Sequence, residues 1–259
     1  MSTLFTCNKT CYFTSILFFI SLPLFSQPNI HFIEYRVLLT EDNPYHNYRI
    51  FNQGSSKAAC KINFVDYLIS DTGKLTLAKK GSKLNTSASG MLRASPKNVY
   101  IPPRASQKVK ILARGLKQQI DGEWVSYFNL ECKNAEPKLI NGLNLIPNFV
   151  FHIPVVVRKG KLDAIVKITK AKLVKKEKYQ IIELVLNRIG QRSLYGDISI
   201  LDETGDEIGI LKGLSHYQQT TDIPISITLK RPPKGKLTIK FEEQNRFGGD
   251  LTTSFELNQ

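Results

Sequence analysis

Short runs of β-branched and aromatic residues recur along most of the chain, and each run is closed by a turn sequence rich in Gly, Pro, Asn or Lys. Typical runs are "HNYRIFN", "AACKINFVDYLI", "EWVSYFNLEC" and "TTDIPISITLK". Helical periodicity is hard to sustain anywhere. The spacing of runs and turns therefore predicts an all-β protein built from two antiparallel sandwiches of about seven strands each.

The length of the chain agrees with two domains. It has 259 residues and is 42% hydrophobic, which suits two packed cores of ordinary size. The strand pattern restarts after "RKGKLDA", so we place the boundary between residues 158 and 162. The predicted domains are residues 27–158 and 159–259.

The N-terminus has the pattern of an export signal. It carries Lys9, an apolar run over residues 12–25, and a small residue, Ser26. This predicts a signal peptide over residues 1–26, cleaved near Ser26 or Gln27. A membrane anchor is the alternative, but the run is shorter than the roughly 20 apolar residues that a spanning helix needs. Export is the favoured reading.

Cleavage would leave two cysteines, Cys60 and Cys132. An even number of cysteines in a secreted chain predicts a disulfide between them. Two separate buried thiols are the alternative. A zinc site is disfavoured because the pair has neither a nearby histidine nor CxxC spacing.

The chain is strongly basic, with a formal net charge of +14. Such an excess is typical of proteins that bind nucleic acid, membrane surfaces or acidic partners. Export argues against nucleic acid. The densest basic run, "KITKAKLVKKEK" at 167–178, holds no aromatic residue on which a base could stack. We read it as a solvated strand pair with a charged hairpin tip.

Motifs of catalysis are missing from the sequence. It contains no GxSxG, no HExxH and no Gly-rich phosphate loop, and its four histidines are scattered. The acidic segment "DETGDE" at 202–207 does not have the ligand spacing of a calcium loop. We expect a protein that is not an enzyme and needs no cofactor.

The stretch "NGLNLIPNFVFHIPVVVRKG" at 141–160 changes its rhythm. Leu143, Leu145, Pro147, Phe149 and Phe151 alternate with other residues, and a continuous apolar run follows. A proline within such a strand predicts an edge position, because it removes one backbone donor. The alternating face could be offered to a partner, or it could lie against the first domain's own core. The continuous run is typical of a strand buried on both faces.

Several stretches together resemble the periplasmic pilus chaperones of the PapD-like family. In chain order these are "EYRVLLTEDNPYHNYRIFNQG", "SPKNVYIPPRASQKVKI", "DGEWVSYFNL", "IPVVVRKG" and "NRIGQRSLYGDISI". The resemblance covers most of the mature chain. It implies two immunoglobulin-like sandwiches with a cleft between them, in a protein of the periplasm.

The resemblance also implies a function. Such chaperones lend an edge strand to a secreted pilus or fimbrial subunit that lacks the last strand of its own sandwich. Here the implied donor residues are Leu143, Leu145, Pro147 and Phe149. An outer-membrane usher and a second copy of the chain, closing the free edge as a self-capping homodimer, are further partners that the sequence leaves open.

Two basic residues in the family's cleft hold the subunit's C-terminal carboxylate. Arg36 in "EYRVL" stands at the first position, where a permanent bidentate charge suits a carboxylate. The second position, where a lysine is expected, holds His152. Either His152 is a weaker clamp, Lys159 or Lys161 replaces it, or the anchor is not used. This departure supports an alternative function, a two-domain structural or surface component that no longer serves subunits.

Overall fold

A computed structural model describes residues 27–79, 81–136 and 146–258. The predicted signal peptide, residues 1–26, and the predicted donor residues Leu143 and Leu145 lie outside these ranges. Among the described residues, none of the helical segments could span a lipid bilayer.

The first sandwich is formed by strands in three sheets. Two sheets, of order β1-β3-β9-β7 and β2-β11-β10-β4-β8, enclose the core, and β5 and β6 form a separate hairpin. The strands are β1 Ile30–His31, β2 Val37–Leu39, β3 Tyr45–Asn52, β4 Ala58–Val65, β5 Tyr67–Ile69, β6 Leu75–Leu77, β7 Leu92–Ser95, β8 Asn98–Ile101, β9 Ala105–Ala113, β10 Gly122–Asn134 and β11 Asn148–Lys159.

The second sandwich has a three-stranded sheet of order β12-β13-β16 and a four-stranded sheet of order β15-β14-β17-β18. Its strands are β12 Ala164–Lys175, β13 Gln180–Gly190, β14 Leu194–Leu201, β15 Glu207–His216, β16 Asp222–Thr228, β17 Leu237–Glu243 and β18 Thr252–Leu257. Two short 3₁₀ helices, Leu116–Gln118 and Asn245–Phe247, complete the described secondary structure.

The period-two burial expected of sandwich strands appears throughout. In β3, Tyr48 and Ile50 are fully buried while Arg49 between them is exposed. Each sandwich has its own apolar core, and these two cores contain no residue in common. The predicted all-β fold of two immunoglobulin-like sandwiches is confirmed.

The strand pairing of the first sandwich differs from the purely antiparallel expectation. β2 runs parallel to β11, pairing Val37 with Val155 and Leu39 with Val157. It is short, so it covers only one end of β11. β11 ends at Lys159 and β12 begins at Ala164, close to the predicted domain limits, which stay a prediction.

The predicted disulfide is present. Cys60 on β4 and Cys132 on β10 are bonded and stand directly opposite each other in the antiparallel pair. Both side chains lie within the first core. The bridge therefore ties β4 to β10, the strand that pairs with β11 along its whole length.

Candidate functional site: the open edge of β11 and the junction between the sandwiches

Half of β11 has a free edge. On one side β10 pairs with it from Asn148 to Lys159, whereas on the other side β2 pairs only with Val155 to Val157. The backbone of Asn148–Pro154 consequently has no strand beside it, within the described residues, on the side of β2. We call this segment the open edge. Its backbone N–H and C=O groups are the kind that a strand from another chain can pair with.

One face of β11 turns into the first core. Ile153, Val155 and Val157 are buried there, and Phe151 packs edge-on against Phe32 with ring centroids 5.2 Å apart. Phe151 therefore lies against the core of its own domain, which was one of the two alternatives for the alternating face.

The same face opens to solvent two residues earlier. Phe149 is partly buried and lines a cleft of about 460 Å³, together with Phe151, Ile30 and Arg104. Pro147 is also partly buried. The face that carries Phe149 therefore runs continuously from the packed core to an open cleft at the end of the sandwich.

The opposite face of β11 turns toward the second sandwich. Val156 is buried in a small cluster with Val125, Tyr127 and, from the second sandwich, Tyr217. Further along this face Val150 is 49% exposed. One face of β11 thus packs in the first core, and the other face lies at the junction between the sandwiches.

Arg36, predicted as a carboxylate clamp, lies buried at that junction and is 2% exposed. Its guanidinium donates to Ser193 Oγ at 2.7 Å and to Ser215 Oγ at 3.1 Å. Three rings of the second sandwich lie around its Cζ atom, at 5.1 Å for Tyr195, 5.7 Å for Tyr217 and 5.9 Å for Phe247. These contacts are favourable cation–π geometry.

The charge of Arg36 is not neutralised in this environment. No carboxylate of the described residues forms an ion pair with it, and its buried Nε has no hydrogen-bond partner there. The guanidinium is held by hydroxyls and rings alone. The positive charge of Arg36 would stabilise a carboxylate at this site, but the guanidinium is buried and is not accessible to one.

His152, predicted as the doubtful second clamp, lies on the same face of β11 as Val156. Its Nδ1 is hydrogen-bonded to the Tyr67 hydroxyl, and the two rings are 5.4 Å apart. Burial lowers the pKa of His152 below its ordinary value. The imidazole is therefore neutral at neutral pH and does not provide a second positive charge.

A line of aromatic rings connects His152 with Arg36. Tyr67 contacts Tyr127 at 4.6 Å, and Tyr127 lies 6.4 Å from Tyr217, whose ring faces Arg36. Burial raises the pKa of Tyr127. Aromatic rings thus line the junction from His152 to Arg36, and the buried cation at the end of this line is the Arg36 guanidinium.

The other candidate cation near the junction is already engaged. Lys159 Nζ donates to the carbonyl oxygens of Lys117 at 2.9 Å and Gln119 at 2.6 Å, and lies 3.9 Å from Glu41. Lys161 is exposed. Of the four candidate clamp residues, the structure brings Arg36 and His152 together along one line of aromatic rings, and of these two only Arg36 is charged.

A buried ion pair fixes the junction below this surface. Glu123 Oε2 accepts from Arg158 Nη2 at 2.7 Å and from Nε at 2.9 Å, while Glu123 Oε1 accepts from the Ser193 backbone N–H at 2.8 Å. Arg158 also donates to the carbonyl of Gly248. The pair therefore holds β10 and β11 of the first sandwich against β14 of the second.

Sequence reasoning missed Glu123 and the serines and tyrosines around Arg36. Glu123 lies in "DGEWVSYFNL", and Ser193 and Tyr195 lie in "NRIGQRSLYGDISI". Both stretches carry the family resemblance. To predict a role for each residue, one would need to know which strands face each other across the junction.

Within the described residues, no group of three His, Cys, Asp or Glu side chains could hold a metal ion. No protein-family model and no curated protein matches the sequence.

Solved structures similar to this chain include chaperones and their complexes. The YadV chaperone is 17% identical over 88% of this chain and 99% of its own, with a TM-score of 0.48. The CsuC–CsuE chaperone–tip subunit complex of Acinetobacter baumannii is 8% identical over 88% of this chain and 97% of its own, with a TM-score of 0.48. The complex of the Salmonella enterica SafA pilin with the SafB chaperone is 13% identical over 89% of this chain and 96% of its own, with a TM-score of 0.46. At such identities and TM-scores the similarity concerns the fold, and it does not tell which partner this chain binds.

Proposed function

We propose that this chain is a periplasmic chaperone that binds a secreted pilus or fimbrial-type subunit by donating an edge strand. The observation that carries the proposal is the open edge of β11, Asn148–Pro154, which in the described part of the chain has a partner strand, β10, on one side only. A strand of the subunit can add to that edge through backbone hydrogen bonds.

The side-chain face of the strand supports the same function. Phe149 stands where the packed core ends and the open cleft begins, and Leu143, Leu145 and Pro147 share its parity. Alternate side chains of a strand point to one face, so these four can enter a subunit's incomplete core together. Each large apolar side chain that is buried there contributes about 1.5–3 kcal/mol before the ordering cost.

Anchoring of the subunit's carboxylate by Arg36 is a separate proposal. The guanidinium is covered by Ser193, Ser215 and the rings of the second sandwich. A C-terminal carboxylate must displace at least one serine to reach it, and a charge-assisted bond to the carboxylate would replace the hydroxyl bonds that are lost. Strand donation does not depend on this step.

The test is co-expression of the tagged chain with strand-incomplete secreted subunits, followed by pull-down from the periplasmic extract. A one-to-one complex is expected, and Leu143→Glu/Leu145→Glu should abolish it. Ile165→Glu/Ile189→Glu is the matched control, because these residues are 55% and 57% exposed, lie on β12 and β13 of the second sandwich, and do not belong to the open edge. Equal recovery with both double variants would remove the donor strand from the binding site.

A structural or surface component is the second candidate, favoured by the occupied guanidinium of Arg36 and the neutral ring of His152. In that case no subunit is recovered under any co-expression. A homodimer closed through the open edge is a third arrangement, and sedimentation of the purified chain at several concentrations distinguishes it. An outer-membrane usher is a partner only if the subunit complex forms.

A further inference from the structure

A cationic surface covers the outer face of the first sandwich, on the sheet β1-β3-β9-β7. The outward positions of β3, β7 and β9 carry Arg49, Arg93, Lys108 and Lys110, all exposed, and no acidic residue. We call these four side chains the basic face. Residues 27–158, to which it belongs, contain 18 Lys and Arg against 9 Asp and Glu.

The register places these cations next to one another. Arg49 is directly opposite Lys108, and Lys110 follows two residues along the same face of β9. Arg93 lies diagonal to Lys110, because Lys110 pairs with Ser95 and Arg93 with Leu112. Like charges directly opposite each other destabilise a sheet. No ion pair among the described residues relieves this repulsion, although Arg93 also donates to the carbonyls of Gly90 and Leu92.

Two aromatic rings on the same face are used to hold the cations. Lys110 Nζ lies 4.5 Å from the centroid of Tyr45, and the guanidinium of Arg49 lies 5.9 Å from that of Phe51. The ring face over which a cation lies is not available to a stacking base, which argues against single-stranded nucleic acid. The arrangement fixes positive charge above the sheet instead.

We propose that the basic face binds the anionic phospholipid headgroups of a membrane surface. Basic side chains near such a surface are attracted by its negative potential, and each contributes additively over a short range. The face is the outside of a sheet, and its middle is occupied by Arg49, Lys108 and Lys110 instead of a group of apolar side chains. A specific protein interface would be expected to have an apolar centre. The proposal goes beyond subunit binding and uses none of the residues of the open edge.

The experiment is co-sedimentation of the full mature chain with vesicles. Vesicles of phosphatidylglycerol and phosphatidylcholine should bind the wild-type chain at 0.1 M NaCl, and release it at 0.5 M NaCl as the charges are screened. Pure phosphatidylcholine vesicles should not bind it. Arg49→Gln/Lys108→Gln should weaken the binding at least tenfold, since each basic residue near the surface is worth about a fivefold change.

The matched control is Lys167→Gln/Lys170→Gln, which removes the same net charge from two exposed positions of β12. It should change vesicle binding less than twofold. An equal loss in both double variants would show that the net charge acts without a defined surface, and the proposal would be wrong. It would also be overturned if wild type bound neutral vesicles as well, or if Arg49→Gln/Lys108→Gln lost binding to an oligonucleotide but not to vesicles. Circular dichroism spectra matching the wild type show that the variants are folded.

Discussion

Arg36 Nη2 donates a hydrogen bond of 2.7 Å to Ser193 Oγ, joining two residues that are 157 positions apart in the sequence. Arg36 precedes β2 of the first sandwich, and Ser193 precedes β14 of the second. This bond, together with the Glu123–Arg158 pair, fixes how the sandwiches meet. The junction and the open edge of β11 are therefore built on the same strands.

Replacement of Arg36 by alanine should destabilise the junction. Arg36→Ala leaves the buried hydroxyl of Ser193 and the partly buried hydroxyl of Ser215 without their charged donor and removes a guanidinium packed on three rings. The free energy of unfolding should fall by about 1.5–3 kcal/mol, the range for hydrogen bonds to charged groups. Urea unfolding measures it. Arg114→Ala at an exposed position is the control, and a similar small loss in both variants would show that Arg36 does not stabilise the junction.

The Glu123–Arg158 pair should cost more to break than a surface pair. Glu123→Gln keeps the shape of the side chain but leaves Arg158 buried without its counter-ion, a change worth about 3–5 kcal/mol. Chemical denaturation of the variant measures the loss. Glu207→Gln, which breaks an exposed pair with Lys230, should cost less than 1 kcal/mol. The prediction fails if the two losses are equal.

His216 should make the protein less stable in mild acid. Burial, followed by the charge of Arg188, lowers the pKa of His216 to about 4, whereas Asp222 and a bond to the Thr220 carbonyl act in the opposite direction. As the pH falls below 6.5, the His216 ring becomes protonated in the unfolded chain. In the folded protein the same ring becomes protonated only near pH 4. The free energy of unfolding therefore falls across this window, by up to about 1.4 kcal/mol per pH unit, and this group adds nothing further below it.

The variant His216→Gln isolates this contribution, because other titrating groups act equally in both proteins. The wild-type stability should decline more steeply than that of the variant between pH 6.5 and 4. Exposed His31 supplies the control in His31→Gln. Parallel pH profiles for wild type and His216→Gln would exclude the buried ring as the cause.

Removal of the Cys60–Cys132 bridge should lower stability because it increases the conformational entropy of the unfolded chain. The bridge spans 72 positions, and closing a loop of that length is worth about 4 kcal/mol in the chain-entropy model. Cys60→Ala/Cys132→Ala should unfold at a lower guanidinium concentration than wild type under oxidising conditions. Wild type with a reductant should approach the variant. An unchanged midpoint in the double variant would show that the bridge adds no stability.

The sequence predicts the fold class, the disulfide and the alternation of β11 because these depend on local pattern and on cysteine number. The parallel pairing of β2 with β11 has no local signature, since three residues are too few to show a period. Arg36 could be selected as a functional residue, but its burial by Ser193, Ser215 and Tyr217 depends on the meeting of two domains. An ordinary histidine is already largely neutral at neutral pH, so the residue type predicts a weak clamp at position 152, whereas the further lowering of its pKa by burial depends on the folded surroundings.

Donation to a subunit requires that one face of the open edge of β11 contact that subunit. Phe149 and Val150 are neighbours on this edge, point to opposite faces and are both partly or largely exposed. Phe149→Glu and Val150→Glu therefore add the same charge to the two faces at the same place. Circular dichroism spectra should match the wild type in each case.

The direct measurement is the amount of subunit recovered with each tagged variant, relative to wild type, in the co-expression pull-down. Phe149→Glu should reduce recovery at least tenfold, whereas Val150→Glu should change it less than twofold. The reverse order, or wild-type recovery with Phe149→Glu, would contradict donation by this face of β11.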